Sequence, residues 1–207
     1  IRAAGLYVEA VASDYWRTRI QFSEARDEQE TFGAYPSIYD SLSRSARWEN
    51  TLTAGVHELV LGSEVMVDEV EGSDEFTETS RTNAAVFGQG RLNFGATDVM
   101  LSLRLDDNEA FGKEETGGIA VGYQFDRAHR VRLSYATSFR APTFNDLYLT
   151  TPYYTGNPDL EAEQGEMVEL GMSGRYDRWF WDLALYQNDV EDLITYVSDP
   201  VTWNGTM

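Results

Sequence analysis

Apolar and polar residues alternate along much of this chain with a period of two. From Arg130 the odd positions are Val131, Leu133, Tyr135, Thr137 and Phe139, and the even ones are Arg132, Ser134, Ala136, Ser138 and Arg140. Successive side chains of a strand point to opposite faces, so the pattern predicts a strand with one greasy face and one charged face. A single strand of this kind would suit a soluble sandwich as well. Its repetition says more. Trp16, Thr18, Ile20 and Phe22 oppose Arg17, Arg19, Gln21 and Ser23. Val99, Leu101, Leu103 and Leu105 oppose Met100, Ser102, Arg104 and Asp106, and Val168, Leu170 and Met172 oppose Glu169, Gly171 and Ser173. A soluble barrel fills its interior with apolar side chains. A large membrane barrel does the reverse, with lipid outside and a polar lumen. The polar sets here are rich in arginine and carboxylates, which favours the second arrangement.

The punctuation has two tempos. Tight turns fall near Ser13-Asp14 and at 55–58, 95–98, 126–129 and 176–178, and longer polar stretches at 31–43, 68–78, 107–115 and 141–164. This rhythm predicts an all-β chain of about ten antiparallel strands in an up-and-down layout. In a transmembrane barrel the short turns face the periplasm and the long loops face outside. No segment combines helical periodicity with caps, so no helix is expected. Tyr15, Trp16, Phe94, Tyr123, Phe125, Tyr176, Trp179, Phe180 and Trp181 gather beside the short turns. Strand propensity alone attracts aromatics. Their bias toward turn ends favours an interfacial girdle.

Composition narrows the function classes. The 207 residues include no cysteine, which excludes disulfide frameworks, thiolate metal sites and thiol nucleophiles. The formal charge is −19, from 35 acids and 16 bases, and argues against nucleic acid as a partner. No apolar run approaches the roughly 20 residues of a membrane helix, a test to which spanning strands are blind. The chain opens inside a strand-like segment without an initiator methionine or leader, as expected of a piece of a longer exported protein. The acidic run of Asp68, Glu69, Glu71, Asp74, Glu75 and Glu78 reads as a solvated outer loop. His57 and His129 lack partners at metal-ligand spacing. Phosphate loops, dinucleotide fingerprints and nucleophile elbows are missing from the sequence. Carboxylate pairs such as Asp106 and Asp107 have nothing to split their acidities, so the chain is expected not to be an enzyme.

Three segments carry a family resemblance. SFRAPTFNDLY, 138–148, resembles the S-[FY]-[RK]-A-P-x-x-x-x-L-[FY] segment of TonB-dependent outer-membrane receptors. GNPDLEAE, 156–163, is similar to their G-N-P-x-L-x-x-E loop. YQNDVEDLI, 186–194, is similar to their [FY]-x-N-x-[IV]-x-D-L-I strand. The motifs follow in the family's order. The resemblance implies that 1–207 is one partial barrel domain, about ten of about 22 strands, in the bacterial outer membrane. The family's plug domain and its N-terminal energy-coupling box, which engages the TonB complex, are not in this stretch. The implied function is active import of a large chelate. Within the family, the segment Val11 to Trp16, the pair Tyr39-Asp40, and Arg104 to Asn108 followed by Phe111-Gly112 resemble the cobalamin receptors.

That narrower likeness implies site residues. Tyr39, through its carbonyl, and Asp40 would help hold calcium, and Ser41 and Asn83 fall where the family contacts substrate. Calcium takes six to eight oxygens. A further aspartate expected about eleven residues after Asp40 is Thr51 here, a departure from the family's pattern. The alternatives are a siderophore receptor of the same family, a passive porin or adhesin barrel, and a soluble β-sheet binding module with an apolar interior.

Overall fold

The computed structural model describes residues 1–33, 36–198 and 205–206. In chain order the elements are β1 (Arg2–Ser13), β2 (Trp16–Thr31), β3 (Ser37–Ala54), β4 (His57–Gly72), β5 (Glu75–Phe76) and β6 (Ser80–Phe94). Then come β7 (Thr97–Asn108), β8 (Gly112–Gln124), β9 (His129–Arg140), α1 (Phe144–Tyr148), β10 (Leu149–Thr151) and β11 (Tyr154–Thr155). The chain closes with β12 (Glu163–Arg175), β13 (Phe180–Glu191), β14 (Val197–Ser198) and β15 (Gly205–Thr206). The long strands make one ten-stranded antiparallel sheet, ordered β1-β2-β3-β4-β6-β7-β8-β9-β12-β13, as the up-and-down reading expects. The short strands form a second sheet, β14-β15-β11-β10-β5, at the loop end. The tight turns after β3 and β6 begin on Gly55 and Gly95, with φ of 63° and 75°. Two-residue hairpin turns need that left-handed backbone to match the strand twist, and glycine adopts it without steric cost.

Residues paired across a ladder share a face. One hydrogen-bonded row runs Trp16, Leu52, Leu59, Gly90, Leu101, Ile119, Tyr135, Val168 and Gln187. The next runs Thr18, Asn50, Leu61, Gly88, Leu103 and Gly117. The apolar sets of all the strands therefore fuse into one continuous face. It is bare: Leu103 is 55%, Leu133 53% and Leu185 64% exposed. The opposite face holds a lattice of ion pairs, Glu9 with Arg19, Arg47 with Glu49, Arg104 with Asp106, and Arg132 with Asp182, all between 2.8 and 3.0 Å. Phe87 lies between the Arg47 and Arg104 guanidinium groups, 4.2 and 5.9 Å from its centroid. A Cβ at Gly62 would collide with that ring, so only glycine fits beneath it.

The sheet is staggered. The first row meets β2 at Trp16, two residues past Asp14 in its turn, and meets β13 at Gln187, ten past Asp177. The slip is about eight residues over about eight strand spacings, roughly 26 Å against 38 Å. That corresponds to a tilt of about 35°, the value a closed barrel of tilted strands requires. β1 and β13 are its edges, and no pairing joins them among the described residues.

Two expectations need correction. Three of the polar stretches are largely strand: β2 continues to Thr31 and β3 resumes at Ser37, β4 runs to Gly72, and the β7–β8 connection is only residues 109–111. These extensions show no apolar–polar alternation in the sequence and are held by their ladders. A helix is also present. α1 is one turn closed by a capping box between Thr143 and Asp146. It belongs to the long loop after β9, which folds back past β8, β7 and β6 so that β10 pairs with β5. Under it sits a small core of Val70, Phe144, Leu147 and Ala162. At the turn end, His129 Nδ1 lies 2.8 Å from Asp126, and its Nε2 lies 2.7 Å from the Tyr176 hydroxyl, tying two neighbouring turns together.

Candidate functional site

Where the inward-folded loop faces β2 and β3, it leaves a groove of about 330 Å³ on the polar face at the loop end. Asp27, Tyr39, Ser41 and Asp68 line one wall, and Arg81 with Thr143 and Phe144 the other. A larger hollow of about 540 Å³, between Val65, Val86 and Leu105, opens on the bare apolar face over Ala84, with Asp107 and Lys113 at its charged edge.

The loop wall is built from the recognised motifs. Arg140, in SFRAP, donates to Glu163 Oε1 at 2.7 Å, and the Ile194 amide donates to the same oxygen at 2.8 Å. Residues from all three motifs thus meet on one carboxylate, which is 6% exposed. Asn157 N donates to the Asp146 carbonyl at 2.8 Å, and Gly156 N to the Leu149 carbonyl at 2.9 Å. A Cβ on Gly156 would stand 2.7 Å from the Leu147 carbonyl carbon, so the GNP segment can approach α1 this closely only with glycine there. These motifs hold the loop, and of their residues Thr143 and Phe144 line the groove.

The four residues implied by the family likeness part company. Tyr39 and Ser41 both face the groove. The Tyr39 ring packs 6.1 Å from Phe76, and burial pushes its phenol above the ordinary tyrosine range. Asp40 lies between them on the strand and so points to the other face. There Arg26 grips both carboxylate oxygens, and that hydrogen bonding holds the carboxyl below its usual range. Asn83 faces the groove side but sits one rung below Arg81, 6% exposed. Its amide donates to Asp106 Oδ1 at 2.7 Å and accepts from Asn108 at 3.1 Å, so both ends are committed.

A calcium ion does not fit this donor set. Asp40 is already neutralised by Arg26. Thr51 is about 36 Å further down β3, between Arg17 and Val60. No cluster of three or more His, Asp or Glu side chains suited to a metal occurs among the described residues. Asp27 and Arg81 were not singled out by sequence, and Asp68, read there as part of a solvated acidic loop, is paired with Arg81. Arg81 reaches the carbonyl of Pro142, 61 residues away, and nothing local announces it.

The comparisons with known proteins agree on the architecture. A family model described as "TonB dependent receptor-like, beta-barrel" matches residues 5–207. The vitamin B12 transporter BtuB of Photobacterium profundum is 32% identical over 154 residues, covering 73% of this chain and 25% of that protein. BtuB of Vibrio cholerae is 29% identical over 192 residues, covering 90% of this chain and 31% of that protein. The chain therefore spans about a fifth to a third of the curated relatives it matches. Among solved structures, the copper transporter OprC superposes with a TM-score of 0.75 at 14% identity, over 99% of this chain and 40% of that one. The ferric enterobactin receptor PfeA of Pseudomonas aeruginosa does so with 0.74 at 17%, over 96% and 36%. At such identities the shared feature is the fold.

Proposed function

The chain belongs to the TonB-dependent receptor-like β-barrel family, and from that premise we propose that it is part of the wall of an outer-membrane receptor that imports cobalamin. The bare apolar face meets lipid, since an apolar face spanning ten strands has no place in water. Its upper limit is marked by charges on that same face: Glu24, Arg44 and Glu69 on β2 to β4, Asp107 on β7, and Glu166 on β12. Exposed Trp16, Phe94, Tyr123, Phe125 and Trp179 at the turn end form the interfacial girdle. The barrel performs no bond chemistry. In the whole receptor, the family's plug and the TonB complex would drive release of the bound ligand.

The charge state of the groove carries the substrate reading. Among the described residues, the bases on the loop-side half of the polar face are Arg47, Arg81, Arg104 and Arg140. All four are paired: Arg47 with Glu49 and Glu64, Arg81 with Asp68, Arg104 with Glu64 and Asp106, and Arg140 with Glu163. An anionic ferric catecholate needs free cationic donors. A corrinoid rimmed by neutral amides needs hydroxyls and carboxylates, which Tyr39, Ser41 and Asp27 offer. The test is equilibrium binding to the intact receptor in detergent. Cobalamin should bind saturably, and a large excess of a ferric tris-catecholate should not displace it. Tighter binding of the catecholate would replace this reading with the siderophore one.

Calcium enters as a separate question about Asp40. Because Arg26 holds that carboxylate on the outer face, Asp40→Ala is expected to leave the calcium dependence of cobalamin binding unchanged. Titrations of wild type and variant against calcium should superimpose. A variant that needs more calcium would return Asp40 to the ligand set.

A further inference from the structure

We propose that Arg81 is the positioning residue of the groove: it hangs the inward-folded loop from the sheet and so sets the wall that Thr143 and Phe144 present. The proposal rests on the reading of the groove as the substrate site. Arg81 stands at the second residue of β6, on the polar face, with a side chain 14% exposed. Its Nη1 donates to the Pro142 carbonyl at 2.7 Å. Its guanidinium lies 4.8 Å from the Phe144 ring centroid and 5.8 Å from that of Phe111. Its Nε is buried, makes no hydrogen bond, and lies 3.5 Å from Asp68 Oδ2 as an ion pair. One planar cation therefore joins a loop carbonyl, two rings and a carboxylate of the opposite wall. Arginine suits this better than lysine, because a flat guanidinium can stack and donate at once.

The geometry makes the anchor necessary. The loop leaves the ten-stranded sheet at β9 and pairs with β5, in the β4–β6 connection, three to four strand spacings or roughly 14–19 Å away. Its rigid part is the stretch from Pro142 to Leu147, both fully buried, with α1 capped between them. Arg81 is the side chain of the sheet that hydrogen-bonds the start of this stretch. With the anchor in place, the groove has its far wall before ligand arrives, and binding does not have to order it. Without it, Pro142 loses its donor and the wall is in place only part of the time.

The experiment joins hydrogen exchange to binding, on the intact receptor in detergent. In Arg81→Gln, amides of residues 144–149 should exchange faster without ligand. Cobalamin should bind about tenfold more weakly, as a wall in place a tenth of the time gives. Adding cobalamin should restore protection in the variant and change little in wild type. Arg81→Lys, which keeps the charge beside Asp68, should fall between and guards against a variant that fails to fold. Unchanged exchange in both variants would overturn the anchor. Faster exchange with cobalamin affinity within about twofold would overturn the positioning role. A wild type that binds no cobalamin would sink the substrate reading alone, because the exchange comparison needs no ligand to test the anchor.

Discussion

Leu103→Arg is expected to lower the stability of the receptor in lipid by about 2–4 kcal/mol, the cost of an arginine at the bilayer midplane of a barrel. Leu103 is 55% exposed on the apolar face, in a row with Gly88, Leu61 and Gly117 that offers no counter-charge. Ser102→Arg, one residue earlier, points the same group to the polar face beside Gln89 and should cost within about 0.5 kcal/mol. Leu105→Arg should fall between, because Asp107 already marks the charged limit two residues on. Denaturant titration of the three variants in phospholipid vesicles gives the order. Equal losses at positions 102 and 103 would mean that the two faces do not meet different solvents.

Asp106→Ala is expected to cost about 3–5 kcal/mol, the usual penalty for breaking a buried pair from one side. The Asp106 side chain is 2% exposed. It accepts from Arg104 Nε at 2.8 Å, from Arg104 Nη2 at 2.9 Å, and from Asn83 at 2.7 Å. Its removal leaves a guanidinium and an amide facing each other, with Glu64, 3.1 Å from Arg104 Nη2, as the remaining partner. A double replacement, Asp106→Ala with Arg104→Leu, should recover part of the loss, because the stranded charge goes with it. Unfolding by urea measures both. A single-variant loss under about 1 kcal/mol would mean that Glu64 and water satisfy Arg104 unaided.

The wall and the groove have different foundations. The wall follows from cross-strand pairs that recur on every strand, so single changes there act through lipid contact or the ion lattice. The groove depends on a few long-range joints: Arg81 to Pro142, Arg140 and Ile194 to Glu163, and Gly156 against Leu147. Four of the residues in those joints, Arg140, Gly156, Glu163 and Ile194, lie in the three family motifs.

The alternation of Val131, Leu133 and Tyr135 with Arg132 and Ser134 was enough, by itself, to assign the two faces, because side-chain direction in a strand depends only on parity. Gly55 and Gly95 marked hairpin turns because their backbone conformation is a local requirement. Family membership was legible in three short motifs for a similar reason, since each carries its own backbone constraints. Parity also bears on Asp40: counted from Trp48 along one unbroken strand, it belongs to the outer face. That count was hidden, because residues 37–43 show no apolar–polar period in the sequence, and only pairing with β2 and β4 makes them strand. Whether Asp40 meets Arg26, whether Asn83 is free or committed to Asp106, and whether Arg81 reaches Pro142 were decided by register and by a loop that folds back past three strands. Those contacts join residues far apart in the chain, and a local pattern records the direction of a side chain but not what the fold brings to meet it.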